Sequence, residues 1–214
     1  MAVSLDVVAL DKPEDVNVIV GQAHFIKTVE DLHETLAGVS SHLRFGIAFC
    51  EASGARLIRK SGNDAELTGL AVAAAQAISA GHAFVIMLSG GFPVNVLNPV
   101  KAVPEVCTIF CATANPVQIL VAITDRGRGI TGVIDGSLPV GVETDADAAS
   151  RHRLLREIGY KLLAPDLNKR RAQAGTRRPV SLGAVPAFKP GDEVYGFGHG
   201  AFAEYIAVSE QPRA

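Results

Sequence analysis

Cysteine is scarce in this sequence: Cys50, Cys107 and Cys111 are odd in number, and none forms a Cys-x-x-Cys pair or stands at zinc-ligand spacing from a histidine. That excludes a disulfide framework and a sequence-built zinc site. The apolar, strand-like stretches around all three predict small core residues with free thiols, as in a reducing cytosol. Positive charge is unevenly spread: Lys169, Arg170, Arg171, Arg177 and Arg178 crowd into one short run while acidic residues prevail before Lys161. Nucleic-acid binding by the main body is therefore not expected, because displacing counterions from a phosphate backbone needs a basic face. The run itself reads as a solvated linker. Also missing are a charged n-region followed by an apolar h-region, an apolar run long enough to span a bilayer, and a repeat period. The expectation is a soluble cytoplasmic protein with neither nucleic acid nor membrane as partner.

What is present is ample apolar material. With 48% hydrophobic and 20% charged residues and a mean hydropathy of +0.25, the 214-residue chain can offset the entropy of ordering its backbone, as one domain or one domain with an appendage. Strands are predicted at 3–10, 16–20, 43–50, 56–60, 83–88, 105–112, 117–123 and 130–134. Helices are expected after a Thr28/Asp31 capping box, after Asn63 with Glu66, from Pro93 to 102, and after Thr144 with Asp147. Val29, Leu32 and Leu36 share one helical face; Leu70, Ala71, Ala74 and Ile78 share another. In the last helix Ala148, Leu155 and Ile158 are expected to face inward. The fold class is thus α/β, a sheet of mixed strands packed with about four helices, plus a short β-like C-terminal appendage. The compact domain is placed at 1–163, a flexible basic linker at 164–184, and the appendage at 185–214.

Four long segments then carry a resemblance: Gly-Gln-Ala-His-Phe-Ile-Lys-Thr-Val-Glu-Asp (21–31), Phe-Gly-Ile-Ala-Phe-Cys-Glu-Ala-Ser-Gly (45–54), Cys-Thr-Ile-Phe-Cys-Ala-Thr-Ala-Asn-Pro (107–116) and Gly-Arg-Gly-Ile-Thr-Gly-Val-Ile-Asp-Gly (127–136). They resemble the adenosine-specific kinase family over nearly all of 1–163. The resemblance implies an oligomeric α/β domain that binds adenosine or AMP and can hold a phosphorylated histidine, with ATP or another phosphoryl donor and optionally Mg²⁺. It matches His24 to the phosphorylated position.

The residues themselves are compatible with that chemistry. Phosphoryl transfer needs positioning and positive charge around the phosphoryl oxygens. His24 and Lys27 stand at a strand-to-helix junction whose N-terminus at Thr28 would offer backbone N–H groups to an anion. A neutral imidazole is nucleophilic near neutral pH; a hydrogen-bonded loop histidine is the plainer alternative. Asp125-Arg126-Gly127-Arg128-Gly129 is not a Walker A motif, but Gly127 and Gly129 permit close approach and the two guanidinium groups suit phosphate, unless the segment is simply a hairpin turn. Asp135 could orient a histidine or bind Mg²⁺, or merely form a turn with Gly136. Glu51 ends a buried-looking strand and is a candidate nucleotide contact. Asn95, Asn98 and Asn115 could each read the adenine edge, although Asn98 and Asn115 precede prolines, as turn residues do. His82, His33, His42, His152 and His199 read as structural or surface residues. Two functions lead: a phosphotransferase using His24, Lys27, Arg128 and Asp135, or a module that binds an adenine nucleoside without transferring anything; an NAD(P)-linked oxidoreductase, drawn from the C-terminal piece, ranks behind both.

Residues 185–209 resemble a fragment of the medium-chain dehydrogenases and quinone reductases. The stretch covers about two strands and lacks the dinucleotide-binding domain that hydride transfer requires; Gly196, Gly198 and Gly200 have the wrong spacing for G-x-G-x-x-G.

Overall fold

The structure, a computed structural model, describes residues 2–162. The linker expected at 164–184 and the dehydrogenase-like piece at 185–214 lie outside them. The chain divides into two units after Gly141.

The first unit holds eight strands and three helices in the order β1 (Ser4–Ala9), β2 (Asn17–Ala23), α1 (Thr28–Val39), β3 (Arg44–Cys50), β4 (Ile58–Gly62), α2 (Ala65–Ile78), β5 (Ala83–Ser89), α3 (Pro93–Ala102), β6 (Val106–Thr113), β7 (Val117–Ile123) and β8 (Arg128–Asp135). The α/β reading holds, but the single sheet of mixed strands becomes two sheets. One has the order β4-β3-β5-β2-β6, the other β1-β7-β8, and all their pairings are antiparallel. Strand composition signals burial, not the identity or direction of a partner, which is why the split was not legible.

Alternation along the central strands builds the core. On β2, β3 and β5 the residues Val18, Val20, Ala48, Cys50, Val85 and Met87 point to one face of the large sheet; Ile19, Phe45, Ile47, Phe49, Phe84, Ile86 and Leu88 point to the other. Both faces are covered, so these strands read as nearly unbroken apolar runs. On the first face α2 contributes Leu67, Ala71, Ala75 and Ile78, and the small sheet contributes Val117, Ile119 and Val121. On the second, Leu32 and Leu36 of α1 and Val96 and Val100 of α3 complete the layer.

The approach of α2 is unusually close. A Cβ built on Gly46 of β3 would lie 2.1 Å from the Thr68 backbone nitrogen and 2.2 Å from the Leu67 carbonyl carbon. Only glycine lets the first turn of α2 lie on β3 this tightly.

Local differences from the expectations have simple causes. Asp64, not Asn63, caps α2 by accepting from the Leu67 N–H. Asn63 instead accepts from Phe45 N–H at 2.8 Å and donates to Leu43 O at 2.8 Å, tying down the start of β3. Thr28 makes no capping box, since its hydroxyl donates to Phe25 O at 2.5 Å and the preceding turn supplies the acceptors. Cys50 and Cys111 are buried as expected, which pushes both thiols up to about 11. Cys107 is exposed, against expectation, because it lies near the start of β6.

The second unit begins at Val142. Its helix α4 (Asp145–Glu157) carries the expected Thr144/Asp147 capping box. It buries none of its residues, and Ile158, expected inward, is half exposed.

Candidate functional site

The ends of β2 and β3 and the start of β5 meet at one edge of the large sheet, and their register brings distant residues together. The His82 N–H donates to Cys50 O at 2.7 Å, the Ala23 N–H to His82 O at 3.0 Å, and the His24 N–H to Glu105 O at 3.1 Å. His24, Phe49, Glu51 and His82 thereby line one cavity of about 180 Å³, with the half-exposed Phe25 and Ile26 at its rim. The His82 ring stacks on Phe49, with centroids 6.0 Å apart and planes at 15°.

A second cavity, of about 470 Å³, shares Glu51 and Ala52 with the first. Its walls are the loop after β3 with Arg56, the end of α2 at Ser79–Gly81, and the β7–β8 hairpin with Arg126, Gly127 and Arg128. Gly129 lines a small neighbouring hollow of about 100 Å³ with Ala80 and Gly81. The three non-glycine residues with positive φ among those described, Arg56 (+52°), Ser79 (+51°) and His82 (+64°), all line these two main cavities. Such backbone costs on the order of 1–3 kcal/mol per residue and tends to gather at functional sites.

The charges here are largely committed. Both carboxylate oxygens of Glu51 are engaged: Oε2 accepts from the Leu57 N–H at 2.8 Å, and Oε1 accepts from Arg59 at 2.8 Å. Those bonds, the Leu57 N–H first, hold its pKa below the usual 4.5. Lys27, expected to be a free cation, bridges Asp31 at 2.5 Å and Glu105 at 2.6 Å. Hydrogen bonding to Asp31 first, then Glu105, raises its pKa to about 12. Glu105 is buried, and its Oε2 has no hydrogen-bond partner among the described residues. The first N–H groups of α1, expected to receive an anion, instead turn back on the carbonyls of Phe25, Ile26 and Lys27. Arg128 is also occupied. Its Nε donates to Ile78 O at 3.0 Å and one terminal nitrogen reaches Asp6 at 3.1 Å, so it closes the carbonyl end of α2.

Three predicted residues lie elsewhere. Asp135 is at the opposite end of β8 from Arg128, roughly 23 Å along the strand. Its Oδ1 accepts from Thr113 and from Asn115, each at 2.9 Å. This pins the β6–β7 link against the end of β8, and Asp135 lines neither of the two cavities. Among the described residues no group of three or more His, Cys, Asp and Glu is placed to hold a metal ion. A Mg²⁺ ion that also bound a donor's phosphates would need only one or two protein carboxylates, and Glu51, which lines the cavity of His24, keeps lone-pair capacity on Oε2. Asn98 is exposed within α3 and forms no turn, despite the Pro99 that follows it. Sequence reasoning missed Arg56 and Phe49 as wall residues and treated His82 as structural. His33 is half-buried, sharing a 2.8 Å hydrogen bond with Ser61.

No helix among the described residues is long and apolar enough to cross a membrane. No curated protein matches the chain. The solved structures it resembles include the PH1918 protein from Pyrococcus horikoshii OT3, at 43% identity and a TM-score of 0.73, over 76% of this chain and 100% of that one. Residues 8–161 match the family model described as adenosine specific kinase. That span contains every residue of both cavities, and the chain belongs to the adenosine-specific kinase family.

Proposed function

We propose that this protein is an adenosine- or AMP-binding phosphotransferase that works through a phosphorylated histidine, His24. The observation that carries the reading is the convergence of His24 and His82 in one cavity that opens against an arginine-lined one. His24 is exposed, so a donor can reach it. Its imidazole nitrogen attacks the terminal phosphorus of ATP or another donor, forming a P–N bond as the P–O bond to the leaving group breaks. The acceptor hydroxyl then takes the phosphoryl group, a P–O bond replacing the P–N bond while the hydroxyl proton passes to solvent. Phe25 and the stacked pair Phe49 and His82 offer the base an aromatic, partly dry wall.

A second reading draws on the committed charges. With Lys27 bound to two carboxylates and Glu51 bonded to Leu57 and Arg59, the cavity suits holding an adenine nucleoside without any transfer. Incubation with ATP labelled in the terminal phosphate separates the two. The phosphotransferase acquires an acid-labile, base-stable label that disappears in His24→Ala and persists in His82→Ala. Adenosine binding with no label in the wild type supports the binding module instead.

The homo-oligomer implied by the resemblance has a face to draw on. Val3, Leu5 and Val7 stand more than half exposed on the outer side of β1. Leu5 and Val7 pair with Ala122 and Leu120, which puts a continuous apolar strip on the small sheet. We assign this strip to a second copy of the chain, since monomers rarely leave such patches uncovered.

A further inference from the structure

We infer that the arginine-lined cavity binds the phosphate chain of the phosphoryl donor, held by Arg56 and Arg126 and not by Arg128. The inference rests on the phosphotransferase reading but concerns a separate set of residues.

Three guanidinium groups line this cavity, from two loops far apart in sequence. Arg128 is accounted for by Ile78 O, Ala77 O and Asp6. Arg56 and Arg126 make no ion pair among the described residues, and neither side chain has a hydrogen bond there. Both side chains are exposed, so water screens them in the empty site, and two unpaired guanidinium groups on one concave surface are free to take an anion. Glu51 does not serve, because its carboxylate already accepts from Leu57 and Arg59. A ligand with several anionic oxygens would engage both, since fork-shaped guanidinium donors match phosphate geometry.

Arg128 has an indirect part in this. The C-terminal end of α2 lines the same space at Ser79–Gly81, and the last carbonyls of the helix, those of Ala77 and Ile78 among them, carry the negative end of its dipole, which would repel phosphate. By covering those carbonyls Arg128 removes the repulsion and leaves the other two arginines to do the binding; it is a positioning residue. Arg56 is held at φ +52° after a turn closed by its N–H to Ser53 O, which aims it from the loop wall. A volume of about 470 Å³ falls inside the usual range for ligand sites, ~300–1,000 Å³. The shared wall at Glu51 and Ala52 brings the end of such a chain beside the cavity of His24.

The test uses calorimetry on the full chain with three ligands, namely inorganic tripolyphosphate, ATP and adenosine, against wild type, Arg126→Ala, and Arg56→Gly/Arg126→Ala. Glycine is chosen at position 56 because it adopts a positive φ without strain. Tripolyphosphate should bind the wild type in a salt-dependent manner and lose about tenfold or more affinity in each variant, as the loss of a charge-assisted hydrogen bond entails. ATP should weaken in parallel, and adenosine should bind all three proteins alike. Equal tripolyphosphate affinity in wild type and variants, or none in wild type, overturns the inference. Binding of ATP without tripolyphosphate would place recognition in the nucleoside and overturn it too. Loss of adenosine binding in the wild type would instead strike the nucleoside-site reading and leave the phosphate result to stand alone. Arg126→Ala decides the matter should the double variant not fold, since Arg126 is exposed and only its backbone N–H is bonded.

Discussion

Lys27 shows how a side chain with catalytic credentials can be spent on structure. It neutralises Glu105, a buried carboxylate with one oxygen left unpartnered, and it reaches Asp31 one turn on. Its folded pKa of about 12 lies above the ordinary 10.5, so its stabilisation is complete below about pH 10.5 and disappears as pH rises through about 12. Lys27→Met should therefore flatten the alkaline fall in thermal midpoint and lower the midpoint at neutral pH, because the Glu105 charge is left buried and alone. Adding Glu105→Gln should restore part of the loss; equal midpoints for the single and double variants would show that no such charge exists. Glu51 works in the opposite direction. Its folded pKa is depressed, so its contribution is present above about 4.5 and is lost as pH falls toward the folded value, and Glu51→Gln should shallow the acid limb. The long-range pairings were not legible in the sequence. Lys27 and Glu105, or Arg128 and the carbonyl of Ile78, are separated by long stretches of chain and meet only through tertiary packing. His24 was legible through its family-like surroundings, whereas Arg56 had no signal beyond a Ser-Gly turn nearby.

Helices and strands were largely readable, since hydrophobic period and turn residues are local properties. Predicted strand 117–123 and helix 93–102 coincide with β7 and α3, and the capping box of α4 is where Thr144 and Asp147 put it. Caps slipped where a polar side chain found a better partner across the fold, as Asn63 did with Phe45 and Leu43. The division into two sheets was hidden because β6 and β7 are joined by three residues, as hairpin partners often are, yet belong to different sheets. Packing of α2 on β3 gives a paired prediction. Gly46→Ala drives a methyl group into the Leu67 and Thr68 backbone and should cost about 1–3 kcal/mol or more. Gly69→Ala, on the exposed side of α2 with open space around it, should stabilise by about 1 kcal/mol. Denaturant midpoints measure both; a neutral Gly46→Ala would mean that α2 can lift off the sheet at no cost.

Both cavities and all eight strands of the described residues lie before Gly141, and the family match ends at residue 161. A chain cut after Leu163 should consequently bind adenosine with unchanged affinity, and in sedimentation it should assemble to the same number of copies, because Val3, Leu5 and Val7 are retained. Lost binding, or dissociation on truncation, would assign residues 164–214 a part in the core or the interface. A crystal structure with AMP bound is predicted to show the purine against Phe25, Phe49 and His82, with the phosphate at the wall formed by Glu51 and Ala52 and within reach of His24. AMP seated instead in the acidic groove between α1 and α3, beside Asp31, Glu34 and Pro99, with the cavity at His24 empty, would contradict that placement.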